Sequence, residues 1–447
     1  MIKIYDTMTR SLRDFVPLTE NVVNMYVCGP TVYNYIHIGN ARSAVAFDTI
    51  RRYFEYCGYT VNYISNFTDV DDKIIKAANE AGISTKELSD KFIAAFMEDT
   101  AQLGIKPATQ NPRVINYMDE IIAFVSTLVD KGFAYVSEGD VYFRVAKSNN
   151  YAKLANKTLE DLEIGASGRT DAETERKENP LDFALWKAAK EGEVSWDSPW
   201  GPGRPGWHIE CSVMATEILG DTIDIHGGGA DLEFPHHTNE IAQSEAKTGK
   251  TFANYWMHNG FVNVDNEKMS KSLGNFVTVH DMLQTVDGQV LRFFLATQQY
   301  RKPINFTEKA IHDAEVNLKY LKNTHSLPLT DQVNQAELQT YLDAFQEAMD
   351  DDFNTANGVT VLFDMAKWIN SGNYDQTVKD AFEKMLQVFG IVFEEEVLDE
   401  DIEKLIEERQ AARANKDFAT ADRIRDELAA QGIKLLDTKE GVRWTRD

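Results

Sequence analysis

Apolar positions near the start of the chain change from a continuous run to helical spacing and back again. From Val22 the sequence reads VVNMYVC, an apolar run of strand length, and a Gly-Pro turn follows it. Apolar residues then recur every three or four positions from Ala41 to Cys57, until Gly58 marks a helix end. The stretch YTVNYIS, residues 59–65, has the composition of a second strand. The pattern predicts a βαβ unit of a parallel sheet.

A second βαβ pattern follows in the middle of the chain. Thr222 to Ile225 is a predicted strand, GGGAD a turn after it, and a helix is predicted to begin near Pro235, before a strand at about residues 254–257. Two such halves predict an α/β fold, a Rossmann-type doubly wound parallel sheet that is split by an insertion. The predicted boundaries are 1–114 for the first half, 115–200 for the insertion and 201–306 for the second half.

The pattern becomes helical after about Thr307. Helical spacing recurs over 336–349, 355–370 and 376–389, which predicts an α-helical bundle assigned to residues 307–394. An acidic run then precedes one charged helix, predicted to end near Ala430, and the pair IKLLDT and GVRWT reads as a hairpin. We therefore expect a small α+β domain over residues 395–447.

Composition and charge narrow the class of protein. The chain has 447 residues, of which 43% are apolar, and its net charge is −25. Strong acidity argues against indiscriminate binding to DNA or RNA, so an RNA partner needs a local basic surface. We find no run of 18 apolar residues and no basic start followed by an apolar stretch, so we expect a cytoplasmic protein and no membrane. Three scattered cysteines do not form a disulfide framework.

Two short motifs carry phosphate chemistry. In YIHIGN, Gly39 lets a phosphate approach the backbone, the helix starting near Asn40 presents free N–H groups, and His37 can donate to a phosphoryl oxygen. In KMSKS, Lys268 and Lys271 can neutralise charge on a triphosphate. A plain turn with a surface histidine and an ordinary basic loop are the structural alternatives. Both motifs follow predicted strands, in different halves of the sheet, as in class I aminoacyl-tRNA synthetases.

Four dispersed side chains suit a metal ion. Cys28 ends the first strand, Cys211 lies in GWHIECS, and His236 and Glu240 are four residues apart on a predicted helix, so they share one face. Two thiolates, an imidazole and a carboxylate are a donor set for tetrahedral Zn²⁺. Taken singly, each has a structural alternative: either cysteine could be a core residue, and the other two a polar helix surface.

Taken together, these stretches closely resemble the cysteinyl-tRNA synthetase family, and the resemblance extends over essentially the whole chain. The stretches that carry it are CGPTVYNYIHIGNARS, NFTDVDDKI, GRPGWHIECS, DIHGGGADLEFPHHTNEIAQ and EKMSKSLGN. The resemblance implies that one zinc ion, held by Cys28, Cys211, His236 and Glu240, accepts the substrate thiolate. It places the first histidine of the pair on the metal, so His237 is excluded.

The resemblance also assigns the remaining site residues. It implies catalytic roles for His37, Lys268, Lys271 and Asn40, the last of which stands where the general class I signature has histidine. Gly39, Gly228, Gly229, Asp231 and Lys271 would bind ATP, with the carboxylate of Asp231 on the ribose hydroxyls, although GGGAD could also be a plain turn. Gly29, Thr68 and Trp207 would contact the amino acid, although Trp207 could equally be a core aromatic.

The resemblance implies an ATP-dependent ligase, acting with Mg²⁺, that joins L-cysteine to tRNA(Cys) through cysteinyl-adenylate. We expect a monomer. In the tail, the candidates for tRNA contact are Arg425, Lys439, Arg443 and Trp444, and a solvated surface explains each of them about as well. Two alternatives remain: a ligase of the same fold that joins cysteine to an amino-sugar, and an inactive zinc-containing RNA-binding protein. The long C-terminal region argues against the first, and the catalytic side chains argue against the second.

Overall fold

A computed structural model of the protein describes residues 1–166, 174–270, 272–331, 333–394, 400–439 and 441–446. The strands of these residues, β1 to β15 in chain order, are Lys3–Asp6, Ser11–Asp14, Val22–Val27, Thr60–Ser65, Ala134–Ser137, Asp140–Phe143, Phe183–Ala188, Gly203–Pro205, Ile223–Gly229, Ala253–Asn259, Val262–Val264, Glu267–Lys268, Ile304–Phe306, Ile433–Thr438 and Gly441–Arg446. The α-helices, α1 to α15, are Ile38–Tyr56, Asp72–Ala81, Thr85–Gln102, Met118–Asp130, Leu159–Ala166, Trp207–Leu219, Thr238–Thr248, Val279–Met282, Gly288–Ala296, Glu308–His325, Gln335–Asp350, Thr355–Asn370, Gln376–Val388, Glu400–Ala414 and Phe418–Ala430.

A four-stranded parallel sheet forms the centre of the molecule. Its strand order is β10-β9-β3-β4, and every neighbouring pair is parallel. The chain therefore adds β4 next to β3 on one side of the sheet and β10 next to β9 on the other side. Ligands of doubly wound sheets bind beyond the carboxyl ends of the strands at this reversal point. The predicted α/β fold class is confirmed.

Close packing of helix α1 on the sheet explains one glycine of the GGGAD stretch. The side chain of Phe47 on α1 is fully buried. A Cβ atom added to Gly227 would overlap the ring of Phe47, so only glycine lets β9 and α1 approach this closely. A larger residue at this position would separate the two halves of the sheet domain.

Along the chain, a second, antiparallel sheet comes between the two halves of the first. Its order is β5-β6-β7-β8, and strand β8 extends it to Pro205. Buried residues of this sheet, such as Trp186, share one apolar core with Tyr26 and Ile64 of the parallel sheet. The antiparallel sheet therefore packs on the parallel sheet through a common core.

The helical bundle is formed by α10 to α13, as the apolar spacing predicted. A buried arginine on α9 connects it to the sheet domain: Arg292 Nη1 lies 2.7 Å from a carboxylate oxygen of Asp48 on α1, and its Nε donates to the carbonyl oxygen of Phe389 at 2.8 Å. The guanidinium group is fully buried. One charged group thus fixes the end of α13 against α1.

Two predicted helices have different bounds in the structure. The single charged helix expected to end near Ala430 is two helices, α14 and α15, because Lys416 has a φ of +61° and the side chain of Asp417 caps the N-terminus of α15. The helix expected to begin near Pro235 begins at Thr238, after an irregular turn in which Phe234 is extended. The hairpin of β14 and β15 is confirmed.

Among the described residues, none of the helices is both long and apolar enough to cross a membrane.

Candidate active site and metal cluster

A cleft of about 690 Å³ opens at the carboxyl edge of the parallel sheet. Both halves of the sheet domain contribute to its walls. The predicted site residues that line it are Cys28, Gly29, His37, Gly39, Asn40, Trp207, Gly229, Asp231 and Lys268. Thr68, Gly228, Cys211, His236 and Glu240 do not line it, and Lys271 lies outside the described residues. The chain thus brings most of the predicted side chains to one cavity.

The HIGN turn is closed by reciprocal hydrogen bonds. Helix α1 begins at Ile38, with His37 as its N-cap: the N–H of Asn40 donates to His37 Nδ1 at 3.1 Å, and Asn40 Oδ1 accepts from the N–H of His37 at 3.2 Å. Because Nδ1 accepts a hydrogen bond, a neutral His37 carries its proton on Nε2, from which it can donate. The side chain of Asn40 therefore supports the turn.

The loop that carries Lys268 lies across this turn. The Asn275 side chain braces the loop, accepting from the N–H of Ser270 at 2.8 Å and donating to the carbonyl oxygen of Lys268 at 3.3 Å. A Cβ atom at Gly39 would lie 2.9 Å from the His37 ring and 3.7 Å from the Met269 side chain. Glycine at position 39 thus avoids a clash with the His37 ring and lets the Met269 side chain pack close to the turn.

The glycines of GGGAD belong to the end of strand β9, which extends to Gly229, so the turn begins at Ala230, three residues later than predicted. A Cβ atom at Gly228 would lie 2.8 Å from the side chain of Leu232 and 3.1 Å from the ring of His237. Asp231 follows in a short 3₁₀ turn and faces the cleft. Strand geometry, with no side chain on the glycines, gives a ligand direct access to the backbone at this edge.

The four predicted metal ligands converge next to the cleft, and of the four only Cys28 lines it. Cys28 Sγ lies 3.5 Å from Cys211 Sγ and 3.9 Å from Glu240 Oε2, and His236 Nε2 lies 3.9 Å from the same oxygen. Donor atoms around a tetrahedral zinc ion are separated by about 3.4–3.8 Å, from bond lengths of about 2.0–2.3 Å. One ligand atom from each residue fits within 4.8 Å of all the others. The donor set and its spacing fit a zinc ion.

A second donor set shares two of these residues. It consists of Cys28, Glu240, His226 and His237, and its ligand atoms also lie within 4.8 Å of one another. His237 Nε2 is 3.4 Å from Cys28 Sγ, closer to that sulfur than the carboxylate of Glu240 is. Zinc favours thiolate ligands, and only the first set has two of them. The distances alone therefore do not show whether His236 or His237 would bind the metal.

Each histidine of the pair is oriented by a further histidine. His236 Nδ1 lies 3.0 Å from His208 Nδ1, and His237 Nδ1 lies 2.8 Å from His258 Nε2. His258 in turn contacts the hydroxyl of Thr7 at 2.7 Å. Outer partners of this kind fix ring orientation at metal sites, so both rings present Nε2 to the cluster.

Burial favours the uncharged forms of the cluster side chains when no cation is bound. It raises the pKa of the Cys28 thiol and of the Glu240 carboxyl well above their ordinary values, with the neighbouring Cys211 adding to the effect at Cys28. It lowers the pKa of His236 and His237 well below the ordinary value, and that of His226 to about 3. Uncharged imidazoles are metal ligands, and a divalent cation would stabilise the thiolate and carboxylate forms.

The sequence analysis did not identify the residues that support the loop after β3, which carries Gly29. Asn66, buried, accepts from the N–H of Gly29 at 2.9 Å and donates to the hydroxyl of Thr68 at 3.2 Å, and that hydroxyl lies 3.4 Å from Glu210. A Cβ atom at Gly29 would overlap the carbonyl oxygen of Asn66. The position of Asn66 directly after β4, at the edge where ligands bind, is the signal that could have found it.

The candidate tRNA contacts in the tail have mixed surroundings. Arg425 is half exposed and pairs with Asp422 and Asp426 on its own helix, at 3.2 and 3.1 Å. The ring of Trp444 packs against the small apolar core of the C-terminal domain. Lys439 is exposed at the hairpin turn, and Arg443 is half-buried on β15. Their role in binding RNA stays a prediction.

Comparison with protein families shows the class of this fold and cleft. Residues 14–316 match the model described as tRNA synthetases class I (C) catalytic domain, and residues 344–394 match the DALR domain. The solved structure of Mycobacterium tuberculosis methionyl-tRNA synthetase in complex with methionyl-adenylate has the same fold, with a TM-score of 0.60 at 16% identity, over 82% of this chain and 89% of that one. The catalytic part is a class I aminoacyl-tRNA synthetase.

The C-terminal region and the relatives that match over their full length identify the family within this class. Residues 395–444 match the cysteinyl-tRNA ligase anticodon binding domain. The cysteine–tRNA ligase of Streptococcus thermophilus (strain CNRZ 1066) is 95% identical, and that of Streptococcus pyogenes serotype M6 (strain ATCC BAA-946 / MGAS10394) is 84% identical, each over all of both chains. The chain belongs to the cysteine–tRNA ligases, and the predicted family is confirmed.

Proposed function

We propose that the protein joins L-cysteine to tRNA(Cys) in two steps, with ATP and Mg²⁺, and that it selects cysteine through a zinc site. In the first step the carboxylate of cysteine attacks the α-phosphate of ATP, which gives cysteinyl-adenylate and pyrophosphate. In the second, the terminal ribose hydroxyl of the tRNA, the 2′-OH by its class, attacks the adenylate carbonyl, which forms the cysteinyl ester and releases AMP. The convergence of Cys28, Cys211, His236 and Glu240 next to the cleft, with Cys28 in its wall, carries the proposal.

Selection of cysteine over serine needs more than shape. A hydrophobic pocket distinguishes near-isosteric side chains by only about 1–3 kcal/mol. A zinc ion held by the four donors would favour the thiolate form of a substrate side chain and would bind a hydroxyl poorly. Trp207, whose ring stacks on His236 at 4.2 Å between centroids, forms the wall beside the donors and holds that imidazole in place.

The residues of the two signatures act on the triphosphate. His37 holds its proton on Nε2 and donates to a phosphoryl oxygen, and Lys268, together with Lys271, balances the charge that develops on the departing pyrophosphate. The N-terminus of α1 adds the partial positive charge of its free N–H groups. These groups stabilise a charge distribution and form no covalent bond, as in phosphoryl transfer generally.

Adenosine is proposed to lie along the glycine edge of β9. Gly229, which lines the cleft, gives its base and ribose access to the backbone, and Asp231 accepts hydrogen bonds from the ribose hydroxyls. Gly228 contributes by letting the end of β9 pack closely on Leu232 and His237. Gly29 and Thr68 are proposed at the amino acid. Because the N–H of Gly29 donates to Asn66 and Thr68 is buried, both act on the substrate by shaping the loop.

The C-terminal region is proposed to bind the tRNA. Arg425, Lys439, Arg443 and Trp444 lie on the small domain that follows the bundle, where stacking and base-edge contacts would read unpaired anticodon bases. We propose that the protein acts as a monomer in the cytoplasm, and that the bundle of residues 307–394 supports the tRNA between the small domain and the cleft.

Exchange of labelled pyrophosphate into ATP tests the proposal. We expect exchange that depends on cysteine, that serine does not support, and that is lost when a chelator removes zinc and restored when zinc is returned. Metal content, measured on the same preparations, should be one zinc ion per chain. Equal exchange in metal-free and zinc-loaded protein would contradict the proposed selection of cysteine by the metal, and leave the ligase assignment standing.

A further inference from the structure

A histidine outside both signature motifs joins three segments that surround the cleft. The ring of His280, on the short helix α8, stacks on the ring of Tyr35 with centroids 4.1 Å apart and an interplanar angle of 10°. Its Nδ1 lies 3.3 Å from a carboxylate oxygen of Asp99 on α3. Tyr35 comes directly before the HIGN turn and lines the cleft. The imidazole therefore contacts the HIGN segment and α3 at once.

The backbone beside this ring ties the two signature loops together. The N–H of Ile38 donates to the carbonyl oxygen of Val277 at 3.1 Å, and the N–H of Val279 donates to that of Ile36 at 2.9 Å. These bonds form a short antiparallel bridge between His37 and Thr278. The end of the Lys268 loop is thus fixed to the turn that carries His37, and His280 lies two residues after Thr278.

Among the described residues, the side chain that contacts the carboxylate of Asp99 is that of His280. The Asp99 side chain is 2% exposed, and its second carboxylate oxygen has no hydrogen-bond partner among the described residues. On the same helix, Phe96, Met97 and Thr100 line the cleft. A buried carboxylate with one partner depends on that partner for its position, so the contact with His280 couples α3 to the signature loops.

We propose that His280 is a positioning residue for adenylate formation: by stacking on Tyr35 and contacting Asp99, it sets the distance between the HIGN turn, the base of the Lys268 loop and α3. The inference rests on the proposed roles of His37 and Lys268. It concerns the ATP side of the cleft, since the imidazole is remote in sequence and contact from the metal cluster. Loss of the contacts of His280 with Tyr35 and Asp99 should leave the binding of cysteine unchanged.

Three variants separate the two contacts. His280→Ala removes both, His280→Phe keeps a ring to stack on Tyr35 but removes the contact with Asp99, and Asp99→Asn removes only the charge. In pyrophosphate exchange, we expect kcat/KM for ATP to fall about tenfold for His280→Ala and about threefold for each of the other two. The KM for cysteine and the rate of transfer from preformed adenylate to tRNA should change less than twofold.

A double variant tests the coupling. If His280 acts through Asp99, Asp99→Asn should have no further effect in the His280→Phe background. The matched control is His312→Ala, which changes an exposed histidine on the bundle helix α10. Melting temperatures of all variants should stay within a few degrees of the parent. Additive effects of the two substitutions, or a rise in the KM for cysteine that parallels the KM for ATP, would overturn the inference.

His37→Ala, assayed in parallel, separates this inference from the proposed function. Its exchange activity should be strongly reduced if the HIGN turn binds ATP as proposed. Full activity of His37→Ala would show that the proposed site is wrong. A reduced His37→Ala together with an unaffected His280→Ala would overturn only the role of His280.

Discussion

The adjacent histidines at the metal cluster provide the sharpest test of the site. We compare His236→Gln with His237→Gln, because each ring directs Nε2 toward the shared residues Cys28 and Glu240. Glutamine has nearly the volume of histidine but is a poor zinc ligand. If the set with two thiolates holds the metal, the first substitution removes a ligand and the second removes only a neighbour.

The expected magnitudes differ enough to measure. Structural zinc binding of about 10–16 kcal/mol shared among four ligands gives about 3 kcal/mol for each, which corresponds to about 200-fold in affinity. His237→Gln instead breaks the contact with His258, an outer-shell change at the lower end of about 10–100-fold. We therefore expect His236→Gln to lose zinc at chelator concentrations that leave His237→Gln loaded.

The assay is competition with a chromogenic chelator, with zinc per chain measured after dialysis. Absorption of the Co²⁺-substituted proteins gives an independent reading, since loss of a ligand changes the coordination sphere and loss of an outer contact changes it little. His312→Gln serves as the control for a histidine far from the cluster. The reverse order of affinities would refute the assignment and place the metal on the second donor set, with Cys211 outside it.

Four further substitutions test other parts of the structure. Lys268→Ala should lower the rate of cysteine-dependent pyrophosphate exchange at least tenfold while leaving tRNA affinity, measured by filter binding, unchanged; a selective loss of tRNA affinity would relocate the function of the loop. Gly29→Ala should destabilise the fold by about 3 kcal/mol in urea unfolding, because its Cβ would overlap the backbone of Asn66; an unchanged midpoint would contradict this. Arg292→Met should cost about 4 kcal/mol, because it leaves the buried Asp48 without its partner on α9. Burial alone would raise the pKa of Asp48, but Arg292 and Arg52 hold it below its ordinary value. The ion pair of Asp48 with Arg292 therefore stabilises the fold fully above about pH 4. That contribution falls as the pH drops toward the pKa of Asp48 in the folded protein. Asp48→Asn should therefore flatten the acid limb of the stability profile, and an unaltered limb would show that other carboxylates determine it.

Apolar patterning predicted the central sheet because its strands are buried on both faces. The run from Val22 to Val27 is continuous for that reason, and the strand on Thr60–Ser65 follows from the same rule. Spacing also located the helices of the bundle. The Gly-rich end of β9 was read as a turn, because glycine is common in turns and its role here is close packing on Phe47.

The site was predictable only where chemistry and position in the chain coincide. Cys28 ends the predicted first strand, and Gly39 lies at the predicted start of the helix after it. The buried contacts of Asn66, His258 and Asp99 depend on chain segments that meet only in three dimensions, so no local spacing reports them. The break before α15 was missed for another reason: Lys416 has a positive φ without the glycine or asparagine that usually marks one.

The order of the cluster residues along the chain has a consequence for biosynthesis. Cys28 is made 183 residues before Cys211, and Glu240 follows later still. A nascent chain from which Cys211 has not yet emerged carries one sulfur of the set and none of its companions. Uptake of a zinc ion by the four proposed donors would therefore be a late event, possible only after the two distant segments that carry Cys28 and Cys211 have packed together.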